Sequence, residues 1–281
     1  MKETKTKSFH FFDTINYNSK TGAENFQDRI TVEEPLEVRI RYRDGEEKTV
    51  SVIMRTPTMD NYLAVGFLYS EGIVKDSSQV ISILNVDSEG TAIDNTVIVE
   101  VTDQVHFDLS DYGRNFAVNS SCGVCGKSSI NDIFVKSGRL IRSTREIKAS
   151  TLLTLPEIMK KQQRIFGETG GIHAAGLFDT NGNLKVVAED IGRHNAVDKV
   201  VGFMVLNNLL FSDDLVLQVS GRAGFEILQK AAMAGIPIVS SVSAPSTLAI
   251  NTADSMNMTL ACFVRGDRFN IYTNPFRIRT Q

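Results

Sequence analysis

Two of the three cysteines in this chain sit three residues apart in SSCGVCGK, residues 120–127. Cys122 and Cys125 are flanked by Gly and Ser, so they belong to a segment that cannot be core. A thiol acts as a nucleophile when it is a thiolate, and Lys127 beside the pair favours that form. Three chemistries fit a CxxC in a reducing compartment: metal ligation, redox exchange and sulfur handling. A structural zinc needs four ligands. The remaining cysteine, Cys262, lies in an apolar strand, and there is no second CxxC and no H-x-x-x-H. A thioredoxin-type CxxC opens a helix after a strand, whereas this one follows no clear strand. Sulfur carriage as a persulfide stays open.

A second set of residues suits an anionic ligand. EDIGRHNAVDKVVG, residues 189–202, follows a strand and opens a helix. It places Glu189, Asp190, Arg193 and His194 at a strand's carboxyl end, where open α/β sheets bind ligands. His194 is a candidate proton carrier or phosphate donor; a helix start capped by Asp190 explains the same residues equally well. Asp198 and Lys199 read as helix surface. In FGETGGIHAAG, Gly170 and Gly171 precede His173 and offer backbone N–H groups, though a simple glycine turn explains them too. SGRAGFE, with Gly221 and Arg222, and SAPS, with Ser246, are two further strand-to-helix junctions whose free N–H groups suit an anion. Arg265 and Arg268 on the last hairpin complete a basic set. Together they point to a polyanionic ligand such as a nucleotide, with surface charge on a turn as the alternative for the two arginines.

The elements that must position these residues differ between the two halves. The chain has 281 residues, 42% hydrophobic and 22% charged, with a formal net charge of −3, which predicts a self-sufficient soluble globular protein. The absence of a basic excess argues against nucleic acid as the main partner. No apolar run reaches the ~18 residues of a membrane span, and the N-terminus has no apolar signal region, so no membrane association and a cytoplasmic location are expected. Residues 1–23 read as a loose tail and 24–118 as a β-rich N-terminal domain with one good helix, NYLAVGFLYSEGIV. A hairpin turning at Asp44-Gly45 and two short strands make up the β part. Residues 119–149 read as the cysteine loop and linker, and 150–281 as an α/β domain. That domain opens with a Thr-capped helix at LPEIMKKQQRIF and a hairpin around Asn181-Gly182. Strand, helix and strand then alternate, which implies a parallel α/β layer. A last hairpin turns at Gly266-Asp267.

CGVCG, TGGIHAAGLF, EDIGRHNAVDKVVG, SGRAGFEILQKAAMAGIP, SAPSTLA and FVRGDRFNIYT, in that order, resemble the FdhD family of formate dehydrogenase accessory sulfurtransferases. EEPLEVRI and MRTPTMDNYLAVGFLYSEGI resemble its N-terminal half, although the stretch after MRT departs from the family's usual Pro-Gly and acidic pair. The resemblance implies a sulfurtransferase that takes persulfide sulfur from a cysteine desulfurase. It passes that sulfur to the molybdenum cofactor, a bis(molybdopterin guanine dinucleotide), before insertion into formate dehydrogenase. Cys122 then falls on the persulfide carrier and Cys125 on its assisting or protecting thiol. Phe263, Val264, Arg265, Gly266, Asp267 and Arg268 fall on the cofactor-binding segment, with GDP as a mimic of the ligand. The resemblance further implies a cytidine-deaminase-like C-terminal layer and a homodimer, and no tightly bound metal is expected. Two rival readings are a zinc-dependent deaminase-like hydrolase and a non-catalytic cofactor-binding chaperone. The first lacks its H-x-E and P-C-x-x-C; the second would use the arginines but not the thiols.

Overall fold

The structure is a computed structural model that describes residues 8–86, 90–108 and 140–280. The segment expected to be a loose tail is in large part ordered. Strand β1 (Phe9–Asn18) pairs with β2 (Gly22–Thr31) in a two-stranded antiparallel ribbon. Strands β3 (Glu34–Arg41) and β4 (Glu47–Arg55) form the hairpin expected around Asp44-Gly45, and strict alternation buries Leu36, Val38 and Ile40 on one face. Helix α1 (Asp60–Ser70) follows and is closed at Gly72, whose φ of 77° is the left-handed conformation glycine adopts without strain. Strands β5 (Val80–Leu84) and β6 (Thr96–Val101) complete a sheet of order β4-β3-β6-β5.

The C-terminal half begins with β7 (Ile147–Lys148), α2 (Ala149–Lys160) and α3 (Arg164–Thr169). Helix α2 starts six residues before the expected position, because Pro156 lies inside the helix rather than in its first turn. Thr154 caps nothing; its hydroxyl donates to the Thr151 carbonyl at 2.8 Å. Next come β8 (His173–Asp179), β9 (Leu184–Asp190), α4 (Arg193–Leu206), β10 (Leu215–Val219), α5 (Phe225–Ala234) and β11 (Ile238–Ser241). The chain closes with α6 (Thr247–Ser255), β12 (Thr259–Arg265), β13 (Arg268–Thr273) and β14 (Ile278–Arg279), which pairs with β7. The main sheet has the order β13-β12-β11-β10-β8-β9. Only β10, β11 and β12 run parallel; the hairpins at either side make the sheet mixed. Among the described residues no helix is long and apolar enough to cross a membrane.

The two halves share one hydrophobic core that runs from Leu36 and Val38 through α1 to Val197, Val200 and Val201 of α4. Helix α4 is therefore central, and Asp198 and Lys199 are not surface residues: they are 3% and 0% exposed. Lys199 Nζ pairs with Asp190 at 2.7 Å and donates to the carbonyls of Thr56 and Glu189. Asp198 accepts from Ser70 and Lys230. Where α1 and α4 cross, glycine meets glycine. A Cβ on Gly66 would collide with the Asp198 carbonyl oxygen, and one on Gly202 with the Tyr62 carbonyl oxygen. Because backbone cannot yield as a side chain does, Gly202→Ala is expected to cost at least about 3 kcal/mol. The corresponding fall in the thermal midpoint is roughly 5–10 °C, measured by calorimetry.

Candidate functional site

The carboxyl ends of β10, β11 and β12 lie side by side, and the chain folds so that other elements end at the same edge. β8 runs antiparallel to β10, which brings His173 beside Gly221, and β9 returns antiparallel to β8, which brings Asp190 opposite His173. The three junctions are stitched together by backbone. Ala223 N donates to Ala244 O at 3.1 Å, and Ser246 N to Ala223 O at 3.1 Å. Phe263 N donates to Ser243 O at 3.2 Å. Ser241 Oγ donates to the Gly221 carbonyl at 2.7 Å and accepts from Ser243 N at 3.0 Å. Gly221, Arg222, Ser246 and Phe263 thus belong to one set of loops.

Phe263 has a φ of 57° in a strand, left-handed backbone that is rare for a bulky residue, at the irregularity between Cys262 and Arg265. Such conformations persist only where surrounding structure enforces them, and they collect at functional sites. Beyond it, Gly266 (φ 61°) and Asp267 make the turn, and Arg265 stands directly opposite Arg268. All four are exposed. Facing like charges repel. Neither arginine forms an ion pair with the described residues, so the pair is open to an anion. Val264 is fully buried in the second core cluster, so only its backbone is available to a ligand.

The two carboxylates at the end of β9 have structural partners. Glu189 accepts from Ile165 N at 3.0 Å and Phe166 N at 2.8 Å, holding the start of α3. Asp190 accepts from Gly192 N and Asn195 Nδ2 as well as from Lys199. Helix α4 itself starts at Gly192 with no side-chain cap. His194 Nε2 lies 2.5 Å from Glu226 Oε2, tying the first turns of α4 and α5. Ser246 Oγ accepts from Ala249 N at 3.2 Å and caps α6. The α5 start at Gly224 has no such side-chain cap.

Beside these loops a cleft of about 610 Å³ opens between the sheet edge and α2 and α3. Met159, Phe166 and Val242 give it an apolar wall; Glu157, Lys160, Gln163, His173 and Ser220 are polar residues of its lining. Burial pushes the His173 imidazole below its ordinary range, and Arg193 and His194 push it the same way against Asp190. A Cβ on Gly221 would sit 3.2 Å from His173 Nδ1, so the ring packs on the glycine. Arg193 adds a buried Nε with no hydrogen-bond partner among the described residues. Of the two glycines before His173, Gly170 (φ 65°) ends α3 and so serves a turn. Lys160 and Ser220 had no signal in the sequence beyond proximity to a helix end and a strand end. The cleft suits a flat apolar group, and the open Arg265–Arg268 pair of the last hairpin suits an anion. Cys122 and Cys125 lie outside the described residues.

The sequence matches the FdhD/NarQ family over residues 31–279, a span that starts at the last residue of the β1–β2 ribbon. A protein of Thermoplasma volcanium named sulfur carrier protein FdhD is 52% identical over 252 residues, 90% of each chain. A protein of the same name from Picrophilus torridus is 53% identical over 251 residues, 89% of this chain and 92% of that one. A crystal structure from Desulfotalea psychrophila, described provisionally as a formate dehydrogenase accessory protein, has the same fold. Its TM-score is 0.74 at 22% identity, over 97% of this chain and all of that one. This protein belongs to the FdhD/NarQ family.

Proposed function

We propose that this chain is a sulfur carrier that serves a formate dehydrogenase. The observation that carries the proposal is the likeness, at about half identity along nine-tenths of the chain, to proteins named sulfur carriers, in a chain whose sequence contains the Cys122/Cys125 pair. In the first step the Cys122 thiolate attacks the outer sulfur of a desulfurase persulfide. The donor cysteine leaves as a thiolate, and Cys122 ends as the persulfide. Cys125 assists or protects that group. The acceptor of the sulfur is the molybdenum cofactor as substrate, a bis(molybdopterin guanine dinucleotide), and the carboxyl edge of the main sheet is where it docks. The Arg265–Arg268 pair suits its phosphates, and the apolar wall of the cleft suits its flat rings.

GDP is the accessible probe. A hydrogen bond to a charged group contributes about 1.5–3 kcal/mol, so removing either arginine is expected to weaken GDP binding about ten- to a hundredfold in calorimetric titration. Sulfur loading at Cys122 stays unchanged in the same variants, because the donor meets the cysteine segment and not the arginines. Unchanged GDP affinity in Arg265→Ala/Arg268→Ala would move the ligand away from the last hairpin.

A further inference from the structure

Three polar side chains of the cleft have no side-chain hydrogen bond or ion pair among the described residues. Glu157, Lys160 and Gln163 recur every third residue along the end of α2 and the turn after it, and all three line the cleft. Glu157 and Lys160 are exposed, so water satisfies them. Gln163 is different. It is 8% exposed, and although it stands at the start of α3 its side chain caps nothing. A buried carboxamide without a partner costs free energy, and such groups are few in folded proteins. Beside a wall of Met159, Phe166 and Val242, it is a polar group that a ligand completes.

The three side chains differ in what they offer. Glu157 accepts hydrogen bonds, Lys160 donates them, and the Gln163 carboxamide does both. A flat ring that satisfies all three carries a carbonyl oxygen, a ring N–H and an amino group in a row. Guanine has this amino–lactam edge, and pterin has the same one. Adenine has an amino donor and ring nitrogen acceptors but no carbonyl, so one of the three side chains would stay unpaired. Lysine is a good donor to the guanine carbonyl, and a carboxylate forms charge-assisted bonds with an amino group or a ring N–H.

We propose that Glu157, Lys160 and Gln163 determine the specificity of the cleft and select a ring with an amino–lactam edge, guanine or pterin. The proposal rests on the reading that the cofactor docks at this edge of the sheet, and it adds the residues that tell its rings from others. Lys160 donates to the ring carbonyl, Glu157 accepts from the amino group, and Gln163 serves the ring N–H with its carbonyl oxygen. Met159 and Phe166 give the ring faces apolar contact. A ring without the amino group leaves the Glu157 carboxylate facing a C–H, and a site built to hydrogen-bond one group discriminates strongly against a ligand that lacks it.

Calorimetric titration of the full chain with GDP, IDP, ADP and neopterin tests this. IDP is GDP without the amino group, and neopterin is a free pterin with the whole edge. Wild type is expected to bind GDP about ten- to a hundredfold more tightly than IDP or ADP. Glu157→Ala is expected to erase the preference for GDP over IDP while keeping wild-type affinity for IDP, a change that a structural role for Glu157 would not produce. Gln163→Leu, close in size, is expected to weaken GDP and neopterin about two- to tenfold with an unchanged circular dichroism spectrum. Dependence on Glu157 and Gln163 for only one of the two ligands assigns the cleft to that ring, and dependence for both means that it takes either; both results support the proposal. Affinities for GDP and neopterin that are indifferent to both substitutions overturn it. GDP that still binds in that case leaves cofactor docking standing, whereas a chain that binds neither ligand overturns the docking reading as well.

Discussion

Cys122→Ser protein, incubated with a cysteine desulfurase and cysteine, is expected to gain no mass, while wild type gains one sulfur atom per chain. A serine hydroxyl cannot form a persulfide, and the loss should be complete rather than graded. Formate dehydrogenase activation in cells supplied only with the variant should fall to background. Cys262→Ala is the control. Cys262 is fully buried in β12, and desolvation pushes its thiol up to about 12, so it holds almost no thiolate at neutral pH and takes no part in sulfur exchange. Sulfur gain by Cys122→Ser would remove the carrier role from that residue. A wild-type protein that gains none yet binds GDP would favour a chaperone that only holds the cofactor.

Lys199→Met is expected to be the most destabilising single change outside the glycine crossing. Lys199 and Asp190 are both 0% exposed, and the lysine also donates to Thr56 O, Thr58 Oγ1 and Glu189 O. Removing the cation leaves Asp190 buried with only neutral donors, and breaking such a pair from one side costs about 3–5 kcal/mol. The double variant Asp190→Asn/Lys199→Met should recover part of the loss, because no uncompensated charge then remains. Urea unfolding monitored by circular dichroism measures both. Equal stability of Lys199→Met and wild type would mean that the buried ammonium contributes nothing to joining the halves.

The elements with one apolar face are legible in the sequence. The alternation in EPLEVRIR and the turns at Asp44-Gly45, Asn181-Gly182 and Gly266-Asp267 all lie where the strands require them. The junctions after β10 and β11, SGRAGFE and SAPS, are legible as well, since small residues there follow from how parallel strands feed their helices. The ribbon is not, because apolar residues on both of its faces erase the period of two and FHFFDTINYN reads as aperiodic. Asp198 and Lys199 mislead because charged residues are almost never fully buried unless paired, and the ion-pair partners, Lys230 and Asp190, lie 32 and 9 residues away on other elements. Pro156 suggests a helix start, yet it occurs in the second half of α2. The cysteine pair, the clearest chemical signal in the chain, falls outside the described residues.

The glycine crossing also governs how the protein is made. Gly66 leaves the ribosome 136 residues ahead of Gly202, the residue it must touch. At ~5–20 residues per second that interval is about 7–27 s. Throughout it, the face of α1 with Gly66 has no partner, nor has the Tyr69 hydroxyl that later donates to Met233 O at 2.6 Å. The nascent N-terminal half therefore exposes that face until α4 has emerged. Codon choices that slow translation between α1 and α4 should lower the yield of folded protein even though they alter no residue.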